Sequence, residues 1–409
     1  MSATLAQADL ARAVRRSARP ARRTAFLLGL PALLFLLLAF VAPLGALLGT
    51  AVENPEVRQV LPRTAAALAQ WDGAVVPDEA VFTALAADLK RANEDKTAAL
   101  AGKRLNYEMP GMRSKMLSAA RMAAAAEAGP YRQMFIDKDP AWGELETWQV
   151  IARTARPWTV YYLLTAIDLE QAPDGSIHAV SADNAIFLSL LTRTLWIAAL
   201  VTIGTVLLGF PVAYIITITP PAVGRIMLLL VLLPLWTSLL VRTTAWVVLL
   251  QTDGVMNDII MWTGLSAHRL QLIFSRFGTV TAMVHIQLPF TILPIYSVMR
   301  GISPTQIRAA RSLGAPAMSA FWRVYAPQTI PGVVAGGLIT FILSLGYYIT
   351  PALVGGPTDQ MISNFISTYI NRDLNWGLAS ALGVVLLAVT LGIYGAFLRL
   401  VGPDRMRFG

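Results

Sequence analysis

Residues 303–316 read Ser303-Pro304-Thr305-Gln306-Ile307-Arg308-Ala309-Ala310-Arg311-Ser312-Leu313-Gly314-Ala315-Pro316, a short polar stretch between two long apolar segments. Ser303 is suited to cap a helix whose first residue is Pro304, and Gln306 three positions later completes a capping box. Gly314 suits the turn that ends such a helix. The sequence therefore predicts a short helix outside the bilayer, joining two membrane spans.

The composition supports a membrane protein, because 56% of the 409 residues are hydrophobic, only 14% are charged and the mean hydropathy is +0.57. The apolar residues form six segments, each close to the roughly 20 residues that cross a bilayer as a helix: Thr24–Thr50, Leu188–Ile218, Ile226–Leu250, Val280–Met299, Val333–Leu353 and Leu378–Leu400. We therefore predict an all-α membrane protein with six transmembrane helices. The first segment is long and has no clear cleavage site, which favours a retained helix over a signal peptide.

The charges set an orientation for these spans. Residues 51–185 carry 18 acidic and 14 basic side chains, whereas the rest carries 6 and 19. With a cytoplasmic N-terminus, six spans place Arg225, the arginines of 300–323 and Arg399 on the cytoplasmic side, as the positive-inside rule requires. The prediction is a multi-pass protein of a bacterial inner membrane, with both termini cytoplasmic and residues 51–185 periplasmic.

The chain divides into five parts: an N-terminal tail (1–23), the first span (24–50), a helical extracytoplasmic insert (51–185), a five-span core (186–403) and a short tail (404–409). All five lysines lie in the insert. Asp78-Glu79 begins an amphipathic helix there, with Lys103-Arg104 near its expected end. The insert is either a docking surface for an extracytoplasmic partner or a cap that packs on the external loops, and both interpretations stay open.

A second short helix is expected to follow Pro316 and to carry Met318, Phe321 and Trp322. Pro327 and Pro331 are expected to end it before the fifth span, which gives a loop over residues 301–328. In the first helix, Ile307 and Leu313 offer apolar contacts for a groove on a partner, and the small Ala309 and Ala310 allow close approach.

These residues resemble a known family. Arg308-Ala309-Ala310-Arg311-Ser312-Leu313-Gly314-Ala315, followed by Tyr325-Ala326-Pro327, is similar to the EAA loop of ABC-type importer permeases, with Arg308 in place of the usual Glu and Ala326 in place of the usual Leu. Leu233-Pro234-Leu235-Trp236-Thr237-Ser238, Gly254-Val255-Met256-Asn257 and Gly355-Gly356-Pro357 are similar to the spermidine, putrescine and opine group of these permeases. The resemblance covers roughly residues 186–403 and the first span.

The resemblance implies that residues 303–316, called the coupling segment below, contact a cytoplasmic ATPase dimer. The residues it assigns to that contact are Ile307, Arg308, Ala309, Ala310, Arg311, Leu313, Gly314, Ala315 and Phe321. It also implies a second permease subunit and an extracytoplasmic substrate-binding protein as partners. ATP and Mg would be bound by the partner ATPase, so no cofactor and no metal is expected in this chain. The chain is then not an enzyme, and it has no complete phosphate-binding loop.

The substrate path is predicted from aromatic and charged residues: Trp236, Arg242, Trp246, Asp253, Tyr347, Tyr348 and Asp359. Aromatic faces and carboxylates suit a cation, although aromatic belts at the membrane interface use the same residues. The acids of the core, Asp253, Asp258, Asp359 and Asp373, all fall in external loops. Arg242 is either an anchor that reaches the interface or a gate residue.

The predicted function is import of polyamines or related small organic cations, which is what the resemblance implies. Opines, amino-acid-like compounds and phosphonates stay open, because no acid lies within a span. An alternative of another class is a membrane-anchored receptor or structural protein that acts through the insert. A membrane enzyme is poorly supported, since the sequence offers no plausible nucleophile, paired carboxylates or metal-ligand cluster.

Overall fold

The computed structural model describes Thr24 and residues 26–401, so the predicted tails 1–23 and 404–409 lie outside the described residues. Apart from one two-stranded antiparallel hairpin, the described residues form helices and loops. The helices and strands are α1 (Phe26–Gly49), α2 (Pro55–Val60), α3 (Pro62–Leu68), α4 (Glu79–Glu94), α5 (Ala98–Glu108), α6 (Met112–Ala125), α7 (Tyr131–Lys138), α8 (Leu145–Thr154), α9 (Tyr161–Thr165), β1 (Leu169–Gln171), β2 (Ile177–Ala179), α10 (Phe187–Ile218), α11 (Pro221–Trp236), α12 (Leu239–Leu250), α13 (Val255–Trp262), α14 (Arg276–Gly301), α15 (Pro304–Ser312), α16 (Ala317–Leu345), α17 (Ile349–Val354), α18 (Ile362–Asn371) and α19 (Trp376–Val401).

Five of these helices are long and apolar enough to cross a membrane: α1, α10, α14, α16 and α19. A sixth span exists only if α11 and α12 are counted together, because the chain bends by 96° between them. The predicted span Ile226–Leu250 thus corresponds to a bent pair of helices and not to one continuous helix. Thr237 and Ser238 adopt extended backbone at the bend, in the turn after Pro234, which cannot donate an amide hydrogen bond.

The fifth span also differs from the prediction. It runs over α16, so it begins before Val333 and ends before Leu353, and no separate short helix precedes it. Pro327 lies in the first turn that follows a π-helical turn at Phe321–Tyr325, and Pro331 is accommodated inside the helix. Such turns relieve local strain without ending a helix. Residues 317–328 are thus helical and continuous with the helix that carries the fifth span.

One end of the bundle gathers the C-terminal halves of α10 and α14, the first half of α11 and the start of α16 around a shared apolar cluster. Its buried members are Ala213, Ile216, Ile292, Ile295, Met299 and Tyr325. In the middle of the bundle, Gly336 of α16 lets the helix approach the backbone of Thr291 so closely that a Cβ would lie 2.7 Å from the Thr291 carbonyl oxygen. Small residues at such contacts bring membrane helices together.

The insert has its own core, built around Phe82, Phe135, Trp142 and Trp148 and extended by apolar residues of α2–α8. The expected amphipathic helix is α4, and Asp78 accepts a hydrogen bond from the Val81 amide at its start. The placement of Lys103-Arg104 near the end of that helix is wrong, because α4 ends at Glu94 and these residues lie on α5.

The insert is attached to the other end of the bundle. The Asp168 carboxylate accepts hydrogen bonds from the amides of Phe187 and Leu188, at 2.9 and 2.8 Å, and so caps α10. Lys103 Nζ donates to the Asp373 carbonyl oxygen at 2.7 Å. Tyr162 packs on α19, against Gly377, where no room for a Cβ exists. These contacts show that the insert packs on the loops at this end.

Candidate functional site

The coupling segment is a capped helix. The Oγ of Ser303 accepts a hydrogen bond from the Thr305 amide at 3.3 Å, so the predicted N-cap is present, although Gln306 makes no reciprocal bond to it. At the other end, the Gly314 amide donates to the Arg311 carbonyl and the Ala315 amide to the Ala310 carbonyl, with Gly314 at φ +89°. This is a Schellman turn, which satisfies the last carbonyls of the helix. The segment is therefore a well-defined element with both ends closed.

The two faces of the coupling segment have different roles. Ile307 is half-buried and packs against the apolar cluster at this end of the bundle. The rest of its surface is exposed and contains Arg308, Ala309, Arg311 and Leu313, and the Leu313 side chain is 89% exposed. The side chain of Ile307, predicted to contact a partner, packs partly on the spans in the isolated chain, and its contact with a partner stays a prediction. Leu313 is the apolar residue that faces outward.

Phe321 is likewise directed inward. Its ring lies 5.4 Å from the Tyr214 ring and 6.4 Å from the Phe210 ring, both on α10, measured between centroids. It also stacks on Tyr325 of its own helix. Phe321 therefore joins the start of α16 to α10, while its neighbour Trp322 is 63% exposed. Ile307 and Phe321 therefore both pack on the spans at this end of the bundle.

This end of the bundle is basic. Arg225, Arg300, Arg308, Arg311 and Arg323 lie in or beside it, and residues 293–345 contain no acidic side chain. Arg300 donates a hydrogen bond to the Tyr296 hydroxyl at 3.3 Å, and no carboxylate neutralises the exposed face of the coupling segment among the residues that the structure describes. An acidic groove is the complementary surface for such a face.

Of the residues predicted to line the substrate path, the structure brings together three: Arg242, Trp246 and Tyr347. Arg242 and Trp246 are one turn apart on α12, and the charge of Arg242 acts on Tyr347 after the end of α16. His285 of α14 completes this group, which we call the Arg242 cluster. The Trp246 Nε1–H donates to His285 Nδ1 at 3.1 Å, and the two rings meet edge to face.

The other path candidates lie elsewhere. Trp236 is 79% exposed at the bend, and Tyr348 is 41% exposed. Asp253 is paired with Arg269 in an exposed loop, with 3.5 Å between Oδ1 and Nε. Asp359 is buried and accepts a hydrogen bond from Arg276 Nε at 2.8 Å. Both acids thus form ion pairs with arginines of the loops and do not join the Arg242 cluster.

Sequence reasoning missed two polar residues of α14. His285 stands alone in the sequence of its span, and its contact with Trp246 follows from the bend that brings α12 against α14. Gln287 is fully buried and its Oε1 accepts a hydrogen bond from Ser344 Oγ at 3.0 Å. The signal that was available is the polar spacing His285-Ile286-Gln287 within an otherwise apolar span.

Comparison with known proteins agrees with this architecture. The profile of the family described as "Binding-protein-dependent transport system inner membrane component" matches residues 206–407. Among relatives, the spermidine/putrescine transport system permease protein PotB of Salmonella typhimurium is 30% identical over 206 residues, which is 50% of this chain and 72% of that protein. The inner membrane ABC transporter permease protein YdcU of Escherichia coli is 30% identical over 258 residues, or 60% of this chain and 82% of that protein.

The chain belongs to the family of binding-protein-dependent transport system inner-membrane components. It is a multi-pass permease subunit of an ABC-type importer, of the same group as the spermidine/putrescine permeases. This membership confirms the resemblance drawn from the coupling segment, and it does not favour a receptor or structural role that relies on the insert.

Proposed function

We propose that this chain is the membrane-spanning subunit of an ATP-driven importer for polyamines such as spermidine and putrescine. The observation that carries the substrate class is the similarity, over about half of this chain, to permeases named for spermidine and putrescine. Opines, amino-acid-like compounds and phosphonates receive no such support. Trp246 and Tyr347 supply aromatic faces of the kind that attract organic cations.

Uptake by the assembled transporter tests the substrate class. Cells that express this chain with its second permease, ATPase and binding protein are expected to accumulate radiolabelled spermidine or putrescine, and cells without this chain are not. Calorimetry of the isolated binding protein with the same amines is the matching measurement. A binding protein that retains a neutral or anionic compound, and no amine, contradicts the assignment.

The coupling segment is proposed to bind a cytoplasmic ATPase dimer, which holds ATP and Mg and hydrolyses the nucleotide. The support is the exposed basic face, with Leu313 as its apolar contact, on a helix whose inner face packs on α10 and α14. ATP-driven closure of the dimer would move this helix, and Ile307 and Phe321 would pass the movement to the spans. With the coupling segment on the cytoplasmic side, both termini are cytoplasmic and the insert is periplasmic.

Two variants of the coupling segment separate coupling from stability. Leu313→Ala is expected to leave the melting temperature of the purified complex unchanged and to lower binding-protein-stimulated ATP hydrolysis, because Leu313 contacts solvent in the isolated chain. Ile307→Ala is expected to lower the melting temperature, because its side chain packs on the spans. If Leu313→Ala retains full stimulation while Ile307→Ala is as stable as the parent, the assigned faces are reversed.

Charge reversal at Arg308 tests whether the coupling segment binds an acidic surface of the ATPase. Arg308→Glu is expected to weaken co-purification of the ATPase, and an acidic-to-basic change in the facing groove is expected to restore it. Arg372→Glu serves as a control at the opposite end of the bundle, because its side chain is exposed and none of the described ion pairs includes it. Equal losses from the two variants would show that the effect does not arise from the coupling segment.

A second permease subunit and a periplasmic binding protein are proposed as the further partners. The insert offers the binding protein an outward cavity of about 760 Å³, with Arg58, Arg156, Trp71 and Asp174 among its lining residues. Its contacts with Asp373 and Gly377 also make it a cap on the loops. Substituting Arg58 and Arg156 by Glu is expected to reduce binding-protein stimulation of ATP hydrolysis without reducing basal hydrolysis. Unchanged stimulation contradicts docking at this cavity.

A further inference from the structure

Arg242 is half-buried, and its charge has no ion-pair partner among the described residues. It lies in the first turns of α12, directly after the 96° bend, in the segment that completes the third membrane span. Its Nε and Nη1 are inaccessible to solvent and form no hydrogen bond with the residues that the structure describes. An uncompensated arginine at such a place is costly, since both desolvation and the missing acceptors oppose it.

This chain has no carboxylate to offer Arg242 in the part of the core that the structure describes. Asp253 and Asp258 pair with Arg269 in the loop beyond α12, and Asp359 pairs with Arg276. Asp373 lies in the loop before α19 that contacts the insert, and none of the described ion pairs joins an acid to Arg242. No described residue of this chain therefore supplies the counter-charge.

The neighbours of Arg242 add hydrogen-bond donors. His285 Nδ1 accepts from Trp246, so in the neutral ring the proton is on Nε2 and that N–H is a donor. Tyr347 carries a hydroxyl that can also donate, and it lies within electrostatic range of the guanidinium. A guanidinium with two or three neighbouring donors matches a carboxylate, which has two oxygens and accepts from both.

The Arg242 cluster opens on the outside of the isolated chain, because His285 is exposed and Trp246 is half-buried. Lipid tails cannot satisfy an imidazole or a guanidinium. A polyamine carries only ammonium groups, so the proposed substrate would be repelled by Arg242 and cannot neutralise it. A protein surface with an acidic side chain supplies both the charge and the acceptors that these groups need.

We propose that Arg242, assisted by the Nε2–H of His285, binds a carboxylate side chain of the second permease subunit at the membrane-embedded interface. The pair fixes the register of the two subunits beside the substrate path and cancels a positive charge that would oppose an entering polycation. The inference rests on the proposed function for the identity of the substrate and for the presence of a second permease.

The test is a charge exchange in the complete transporter. Arg242→Glu is expected to reduce co-purification of the second permease about 100-fold, as breaking a buried ion pair does. Replacing each membrane-embedded Asp or Glu of the second permease by Arg, one at a time, is expected to reveal one change that restores assembly of Arg242→Glu at least about tenfold. Arg269→Glu is the matched control, because Arg269 pairs within this chain, and no exchange should rescue any loss it causes.

Neutral substitutions at both positions provide a second test in case the charge-reversal variants do not fold. Arg242→Gln and neutralisation of the identified carboxylate are each expected to impair assembly, and the double variant is expected to be no worse than the more impaired single variant. If no carboxylate of the second permease rescues Arg242→Glu or couples to Arg242→Gln, the proposal is overturned. Assembly of Arg242→Gln at the parental level overturns it as well.

Separate measurements identify the source of the carboxylate and the identity of the substrate. Assembly is measured by co-purification without any substrate, so a transporter that imports something other than polyamines still tests the ion pair. If Arg242→Gln assembles normally and loses import only of a carboxylate-bearing compound, then the carboxylate comes from the substrate and the interface assignment is wrong.

Discussion

Glu108→Gln is the substitution for which the structure predicts the largest loss of stability in the insert. The Glu108 side chain is 4% exposed, and its carboxylate contacts two arginines: Arg104 Nη2 lies 2.7 Å from Oε1, and Arg153 Nε lies 3.0 Å from Oε2. Arg104 is itself 1% exposed in its side chain and donates from Nε to the Asn54 carboxamide oxygen at 2.6 Å. One carboxylate thus neutralises two shielded cations.

The magnitude follows from what remains after the change. A glutamine keeps the shape but leaves both guanidinium groups without a counter-charge, which costs about 3 kcal/mol for a buried pair. The two tyrosine rings beside Arg104, at 4.9 and 5.2 Å from its Cζ, favour the cation but do not replace an anion. For a domain of this size, about 3 kcal/mol corresponds to a melting temperature lower by roughly 10 °C.

The assay is thermal unfolding of the purified complex, followed by the fluorescence of the insert tryptophans. Asp139→Asn is the matched control, because Asp139 pairs with Lys115 while both side chains are about 30% exposed, at 30% and 31%. Such an exposed pair contributes about 1 kcal/mol or less. A Glu108→Gln protein that melts within a few degrees of the parent, or no lower than Asp139→Asn, would refute the reasoning.

Three further predictions concern the insert and the spans. Asp168→Ala is expected to remove about 1–2 kcal/mol of capping from α10 and to speed hydrogen exchange of its first amides, whereas Asp168→Asn keeps one of the two acceptor oxygens and is expected to have a smaller effect; equal exchange in both contradicts the cap. Burial, with the charge of Glu56, raises the pKa of Tyr107 to about 12, so the unfolded chain loses this proton from about pH 10. Stability is therefore expected to fall between about pH 10 and 12, less steeply in Tyr107→Phe, and identical pH profiles of the melting temperature would show that Tyr107 is not responsible. Gly336→Ala is expected to separate α14 from α16 and to lower the melting temperature, while Gly383→Ala, with no atom within 4 Å of its Cβ position, is expected to be neutral; equal effects contradict the close approach.

The coupling segment shows which structural features can be predicted from local sequence. Ser303, Pro304 and Gly314 encode the two ends of a helix by chemistry that acts over a few residues, and the structure has both ends where those residues predict them. The positions of apolar and polar residues around that helix are also set by the local sequence. Which face is inner was not predictable, because it depends on the cluster formed by α10, α14 and α16, and the structure places Ile307 there and leaves Leu313 outside.

The sequence by itself determined the class of structure, because long apolar segments are stable only as membrane-spanning helices, and it determined the family, because the coupling segment has a local signature. The tertiary structure alone decided the bend between α11 and α12, the early start of α16 and the position of Arg242 beside His285. These features depend on contacts between residues that are far apart in the chain. Hydropathy and residue spacing depend only on residues that are close in sequence. Because the surroundings of Arg242 are formed by helices that are distant in sequence, its lack of a described partner is seen only in the packed structure.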